Sequence, residues 1–179
     1  MRKAAIILDR DGTLIADGAE REHEKPEDIP LLPGVRAACE VLRACGFILL
    51  GATNQACVGR GESTWHRQGA VCDALARQLG LDGWRICPHT PEDGCRCRKP
   101  GDGMMHALAD THDLDLARCW MVGDAETDVV AGRAAGMRTA LLAVEPCYTT
   151  ADYVFGDLLE FALFVARARI DCRPGARGF

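Results

Sequence analysis

Short apolar runs, each followed by a segment of helical periodicity, constrain the fold of this chain more than any other feature. Residues 3–8 (KAAIIL), 47–52 (FILLGA), 118–122 (RCWMV) and 138–143 (RTALLA) suit buried strands and are far too short to span a bilayer. Pro33-Gly34 opens a helix with Val35, Ala38, Val41 and Leu42 on its apolar face, and Gly46 closes it. Further helices are predicted over about 62–79, 102–112, 126–135 and 157–169, with short strands at 84–86 and 153–155 and a polar loop over 17–30. Strands alternating with helices in this way predict a three-layer α/β fold, a Rossmann-like parallel sheet with helices on both faces. A chain of 179 residues fills one such core, so residues 1–179 are expected to form a single domain.

Ligands of open parallel sheets bind outside the carboxyl ends of the strands. Asp9, Thr53 and Asp124 each stand directly after a predicted strand. The first is part of Asp9-Arg10-Asp11-Gly12-Thr13, where two carboxylates leave a strand together and Gly12 permits a sharp turn. One carboxylate can attack phosphorus, while a second protonates the leaving oxygen and then activates water. Mg²⁺, which prefers oxygen ligands and keeps several waters, suits such a pair. Thr53-Asn54-Gln55 offers a hydroxyl and amide donors for a phosphate oxygen, Arg98-Lys99 offers cations for its charge, and Asp124 can supply a metal ligand. Taken singly these segments also read as a solvated turn, a turn or cap pair, a surface pair and a helix N-cap. Their order at successive strand ends favours the joint, phosphate-handling reading.

Composition removes other classes of function. There are 21 Lys and Arg against 26 Asp and Glu, a net charge of −5, so nothing draws the chain to nucleic acid or an anionic membrane surface. The apolar start MRKAAIIL is too short for a signal-peptide core, and a cytoplasmic monomer is the expectation. Of ten cysteines, Cys39, Cys45, Cys72 and Cys119 fall among apolar neighbours in predicted elements and read as small hydrophobes. Cys87-Pro88-His89 followed by Cys95-Arg96-Cys97 is different, because Cys87, His89, Cys95 and Cys97 suit tetrahedral Zn²⁺ with every position filled by protein. Such a structural site would stiffen the loop and fix Arg98 and Lys99 behind it. Trp65, Trp84 and Trp120 read as core, His23, His66, His106 and His112 as ordinary surface or packing residues, and the Arg/Gly-rich stretch 170–179 as loose.

The ordered set D-R-D-G-T, T-N-Q, R-K and G-D-A-E-T-D resembles the haloacid dehalogenase-like phosphatases over nearly the whole chain. The resemblance implies Asp9 as nucleophile, Asp11 as general acid/base, and Thr53 and Lys99 as phosphoryl-binding residues. It implies Mg²⁺ held by the Asp9 carboxylate, the Asp11 backbone carbonyl and Asp124, with Asp128 supporting Lys99 or a metal-bound water. It also implies an essentially capless enzyme that takes a small phosphorylated substrate in an open cleft. Within the family, the zinc loop is similar to the group acting on heptose 1,7-bisphosphate or histidinol phosphate. Residues 53–61 (TNQACVGRG) favour the heptose side, and with it synthesis of activated heptose for lipopolysaccharide core; the short zinc loop is closer to the histidinol type. Ala56, Cys57 and Ala125 depart from the heptose pattern. Arg60 and Arg98 are then candidate contacts to distal groups of the substrate. A phosphoryl-accepting signalling receiver uses a similar acidic cluster, Thr and Lys, but without a second acid two residues on or a zinc loop.

Overall fold

The computed structural model describes residues 2–22, 25–145 and 147–171. Six parallel strands form one sheet in the order β3-β2-β1-β4-β5-β6. They are β1 (Ala5–Leu8), β2 (Ile48–Asn54), β3 (Gly83–Cys87), β4 (Trp120–Gly123), β5 (Arg138–Leu142) and β6 (Tyr153–Phe155). The helices are α1 (Ala19–Glu22), α2 (Val35–Ala44), α3 (Ala56–Gly59), α4 (Trp65–Leu79), α5 (Gly103–His112), α6 (Glu126–Ala134) and α7 (Leu158–Asp171). This is the three-layer α/β architecture that the alternating pattern predicts.

Successive side chains of a strand point to opposite faces, and β1 divides its four buried residues accordingly. Ile6 and Leu8 join Leu42 of α2, Trp120 and Val122 of β4 and Phe161 of α7 in one cluster. Ala5 and Ile7 join Leu50, Met121, Met105 and Leu108 of α5 and Ala131 of α6 on the other face. A strand apolar on both faces therefore sits at the centre of the sheet with helices above and below. At about 1.5–3 kcal/mol for each fully buried large side chain, these clusters are what hold the strand ends in place.

The sequence dictates the helix limits through ordinary capping. The Thr64 hydroxyl accepts a hydrogen bond of 3.0 Å from the Arg67 N–H and starts α4, and Gly80 ends it in the left-handed conformation at φ 68°. Between them Val71, Cys72, Leu75 and Leu79 recur at helical spacing and are buried.

Some local expectations change. The segment 17–30 is not wholly loop, since it carries α1 and a 3-10 turn at Pro26–Asp28. Ala19 and Ile29 from this segment pack with Val71 and Leu75 in a small cluster of their own. Apolar residues so widely spaced carry no readable period. The one-turn helix α3 is similarly too short to declare itself. Trp65, expected in the core, stands in the first turn of α4 and is 55% exposed, whereas Trp120 is buried against Tyr153 and Phe161. Among the described residues between β1 and α2, only α1 and the 3-10 turn intervene, consistent with the expected lack of a large cap there. Residues 170 and 171, expected in the loose stretch, belong to α7, and His23 and the stretch 172–179 lie outside the described residues. No helix among the described residues is long and apolar enough to cross a membrane.

Candidate active site

From β1 the chain proceeds outward through β2 and β3, then returns to the other side of β1 for β4, β5 and β6. Loops diverge at such a reversal and leave a crevice at the carboxyl ends of the two central strands. Asp9 emerges there, its backbone N–H bonded to the Val122 carbonyl of β4 at 2.9 Å. The Lys99 ammonium lies between two carboxylates, 2.5 Å from Asp9 Oδ1 and 2.5 Å from Asp128 Oδ1, and donates to the Ala52 carbonyl at 2.8 Å. All three charged side chains are buried. Burial pushes the Asp9 carboxyl up to about 7, against the pull of Lys99 and with a further push from Asp128. Burial also works against the Lys99 ammonium, but Asp9 and Asp128 outweigh it and hold its pKa above the ordinary lysine value.

Two glycines let the remaining acids approach this group. Gly12 has φ +74°, and a Cβ there would lie 2.0 Å from Asp124 Oδ2. A Cβ on Gly123 would lie 2.1 Å from Asp128 Oδ2. Asp124 therefore rests on the backbone that follows Asp9, half-buried, and desolvation together with the charges of Asp128 and Asp17 raises its carboxyl to about 6. Carboxylate oxygens of Asp9, Asp124 and Asp128 all lie within 4.8 Å of one another. With all three acids ionised, one ammonium leaves two negative charges uncompensated, which is the donor set and charge that a hard divalent cation requires. Asp128 engages Lys99 through Oδ1 and the Ala125 N–H at 3.2 Å through Oδ2, whereas Asp9 meets Lys99 through Oδ1, so Asp9 Oδ2 and the Asp124 carboxylate are the groups better placed for such an ion.

Asp11 faces a second group. Its Oδ2 accepts from Gln55 Nε2 at 2.7 Å and lies 3.5 Å from the Thr53 hydroxyl. Arg10 completes the set, with Nε 3.2 and 3.1 Å from the two Asp11 oxygens and Nη2 3.1 Å from Oδ1. The arginine has no exposed surface at all, and its Nη1 donates to Gln68 Oε1 at 2.6 Å. Sequence reasoning overlooks Arg10, which reads as a spacer between two acids. Alternation along an extended segment sends position 10 away from Asp9 and toward the interior, and a cation there needs partners. That was the available signal.

Asn54 is expected among the phosphate-binding residues, but the structure gives its amide a different task. Nδ2 donates to the Lys99 carbonyl at 2.9 Å and Oδ1 accepts from the Lys99 N–H at 3.0 Å. Gln55 likewise is occupied with Asp11 and, at 2.8 Å, with the Thr53 hydroxyl. Arg60 forms a two-point pair with Glu62, at 2.7 and 2.8 Å, on the surface. Arg98 donates to the His89 carbonyl at 3.3 Å.

The cysteine loop begins at the last residue of β3, beside Asn54 in the sheet register. Three sulfur–sulfur distances among Cys87, Cys95 and Cys97 are 3.4, 3.4 and 3.6 Å, and His89 Nδ1 lies 3.5 and 3.2 Å from Cys87 and Cys97. A tetrahedron with metal–sulfur bonds of about 2.3 Å has edges of roughly 3.8 Å, so these four ligands fit zinc. Backbone bonds connect this loop to the segment that follows β2: Gln55 N–H to the Cys87 carbonyl at 2.7 Å and Gly59 N–H to the Pro88 carbonyl at 2.9 Å.

Comparison with known proteins agrees with this geometry. A family profile described as "HAD-hyrolase-like" matches residues 96–147, which hold Lys99, Asp124 and Asp128. The D-glycero-beta-D-manno-heptose-1,7-bisphosphate 7-phosphatase of Pseudomonas aeruginosa is 34% identical over 151 residues, covering 79% of this chain and 82% of that one. The chain belongs to the haloacid dehalogenase-like phosphatase family. The enzyme of the same name from Bordetella bronchiseptica is 37% identical over 136 residues, covering 73% of this chain and 75% of that protein. A crystal structure of D,D-heptose 1.7-bisphosphate phosphatase from B. bronchiseptica, complexed with magnesium and phosphate, superposes with a TM-score of 0.79. It is 32% identical and covers 92% of this chain and 99% of that one.

As a haloacid dehalogenase-like hydrolase, the chain gathers Asp9, Lys99, Asp124 and Asp128 into one cluster and Asp11, Thr53 and Gln55 into an adjoining one. The two meet because Asp9 and Asp11 flank Arg10.

Proposed function

We propose that this chain hydrolyses the 7-phosphate of D-glycero-D-manno-heptose 1,7-bisphosphate through an aspartyl-phosphate intermediate, feeding the synthesis of activated heptose for lipopolysaccharide core. The observation that carries the reading is the buried Asp9–Lys99–Asp128 row at the switch point, next to a second acid, Asp11, two residues along. The heptose enzymes named above, 34% and 37% identical to this chain over 79% and 73% of it, support the choice of substrate.

Asp9 is the nucleophile. Its carboxylate oxygen bonds to phosphorus as the bond to the sugar oxygen breaks, and Asp11 gives that oxygen a proton. Asp11, now a carboxylate, takes a proton from water, and the water oxygen attacks phosphorus. The bond to Asp9 breaks, inorganic phosphate leaves and both acids return to their starting states. Lys99 and the Thr53 hydroxyl hold the phosphoryl oxygens, and Asp128 keeps the Lys99 ammonium charged and aimed at Asp9. Mg²⁺, held by the Asp9 carboxylate, the Asp11 carbonyl and Asp124, supplies positive charge to the transferring group when bound. Zn²⁺ at Cys87, His89, Cys95 and Cys97 is structural and fixes the segment that carries Arg98 and Lys99. Arg98 and Arg60 are the residues proposed to contact the 1-phosphate, with Arg60 exchanging Glu62 for it.

The test is a comparison of kcat/KM with Mg²⁺ for the α and β anomers of the heptose bisphosphate, histidinol phosphate and other sugar phosphates. A clear preference for a heptose bisphosphate, the β anomer first, is expected. Preference for histidinol phosphate would reject the substrate while keeping the chemistry.

A further inference from the structure

We propose, on the acid/base role given to Asp11 above, that Arg10 is a positioning residue that fixes the plane and direction of the Asp11 carboxylate. The observation is a guanidinium with no solvent contact, paired with Asp11 at 3.0 Å. Burying a cation is expensive, and an apolar side chain of similar volume would serve packing as well or better. The bonds that Arg10 makes indicate what the charge is for. Nε reaches both Asp11 oxygens, at 3.2 and 3.1 Å, and Nη2 reaches Oδ1 at 3.1 Å. A planar fork of this kind sets the orientation of a carboxylate, which a single ammonium cannot do.

The fork is itself held. Nη1 donates to Gln68 Oε1 at 2.6 Å, and Gln68 Nε2 donates to the Ser63 hydroxyl at 3.0 Å. Glu20 of α1 lies 3.9 Å from Nη2 and helps balance the charge. On its other side Asp11 meets Gln55 at 2.7 Å, so the carboxylate is gripped from two directions. Its side chain nonetheless keeps 22% of its surface exposed, as a group that must exchange protons with substrate and water requires. Arg10 forms and breaks no covalent bond. It acts on the two steps in which Asp11 moves a proton: donation to the sugar oxygen as that oxygen leaves phosphorus, and removal of a proton from the attacking water.

This separates Arg10 from a residue that only stabilises the fold. If it works through Asp11, its removal has nothing left to disturb once Asp11 can no longer transfer protons. The experiment is a double-mutant cycle of Arg10→Met and Asp11→Asn, read as single-turnover and steady-state phosphate release from heptose 1,7-bisphosphate. Arg10→Met alone is expected to lower kcat about 10²-fold with little change in KM, as a misplacement of about 1 Å does. In the Asp11→Asn background the same change is expected to alter the rate by less than about threefold. Arg10→Lys should recover only part of the loss. Should Arg10→Met not fold, Gln68→Leu, which removes the anchor of Nη1, enters the same cycle with the same expected non-additivity. A full additional loss in the Asp11→Asn background, or kcat of Arg10→Met (or Gln68→Leu) near that of the parent, would overturn the positioning role alone. An Asp11→Asn enzyme as active as the parent would overturn the acid/base reading as well, so the two failures are distinguishable.

Discussion

Replacing Asn54 separates two ways in which a residue beside the site can matter. Both ends of its amide are committed to the Lys99 backbone, at 2.9 and 3.0 Å, and Lys99 is 3% exposed, so no water replaces a lost bond freely. Asn54→Ala leaves one N–H and one C=O with reduced satisfaction. With about 1–3 kcal/mol for each buried group left unpaired, the expected loss of stability is about 3 kcal/mol. Asn54→Asp keeps the shape and the acceptor for the Lys99 N–H but sets a carboxylate oxygen against the Lys99 carbonyl, so its loss should be at least as large. The same anchor aims the Lys99 side chain at Asp9, and a shift of about 1 Å there lowers kcat about 10²-fold. The measurements are urea denaturation of the zinc-loaded protein and steady-state kinetics on both variants. A joint fall in stability and kcat is expected. Asn54→Ala with the stability and kcat of the parent and only a raised KM would refute this reasoning and return Asn54 to the substrate.

Two further outcomes follow from the metal sites and the buried acids. Protein purified without added zinc should carry about one Zn per chain, and Cys95→Ser should lose metal, thermal stability and turnover together; full retention of all three would remove zinc from the account. In metal-free protein Asp9 and Asp124 are raised to about 7 and about 6, so the folded state holds protons that the unfolded chain has released. The stability these protons contribute is fully present below the unfolded carboxylate pKa of about 4 and is lost as pH rises through 6 and 7. Mg²⁺ binds the ionised forms, so the rise in thermal midpoint on adding Mg²⁺ should be larger at about pH 8 than at about pH 5.5, and an equal rise at both would contradict it.

Much of this site is legible in the chain because strand ends announce themselves. An apolar run followed by D-x-D-G, T-N-Q or G-D places functional groups at one edge of a parallel sheet. The zinc loop is legible for a related reason, since ligand spacing within one short loop needs no tertiary information. What escapes is the role of polar residues whose partners are distant in sequence. Asn54 and Lys99 are neighbours only because β2 and β3 pair, with Asn54 opposite Cys87. Arg10 and Gln68 meet only when α4 packs over the loop after β1. Gly12 reads as a turn residue, while the task it shares with Gly123, giving room to Asp124 and Asp128, depends on where those acids come to rest. The first turn of α4 misleads in the opposite sense, for Trp65 is apolar by type and exposed by position.

The central claim is that phosphorus is transferred to Asp9. Acid quenching of the Asp11→Asn enzyme during turnover of the heptose bisphosphate, followed by peptide mass analysis, tests it most directly. A phosphoryl group on the peptide that carries Asp9, absent when Asp9→Asn is added, is the predicted result. Phosphate release with no labelled Asp9, or a label that survives Asp9→Asn, would contradict it.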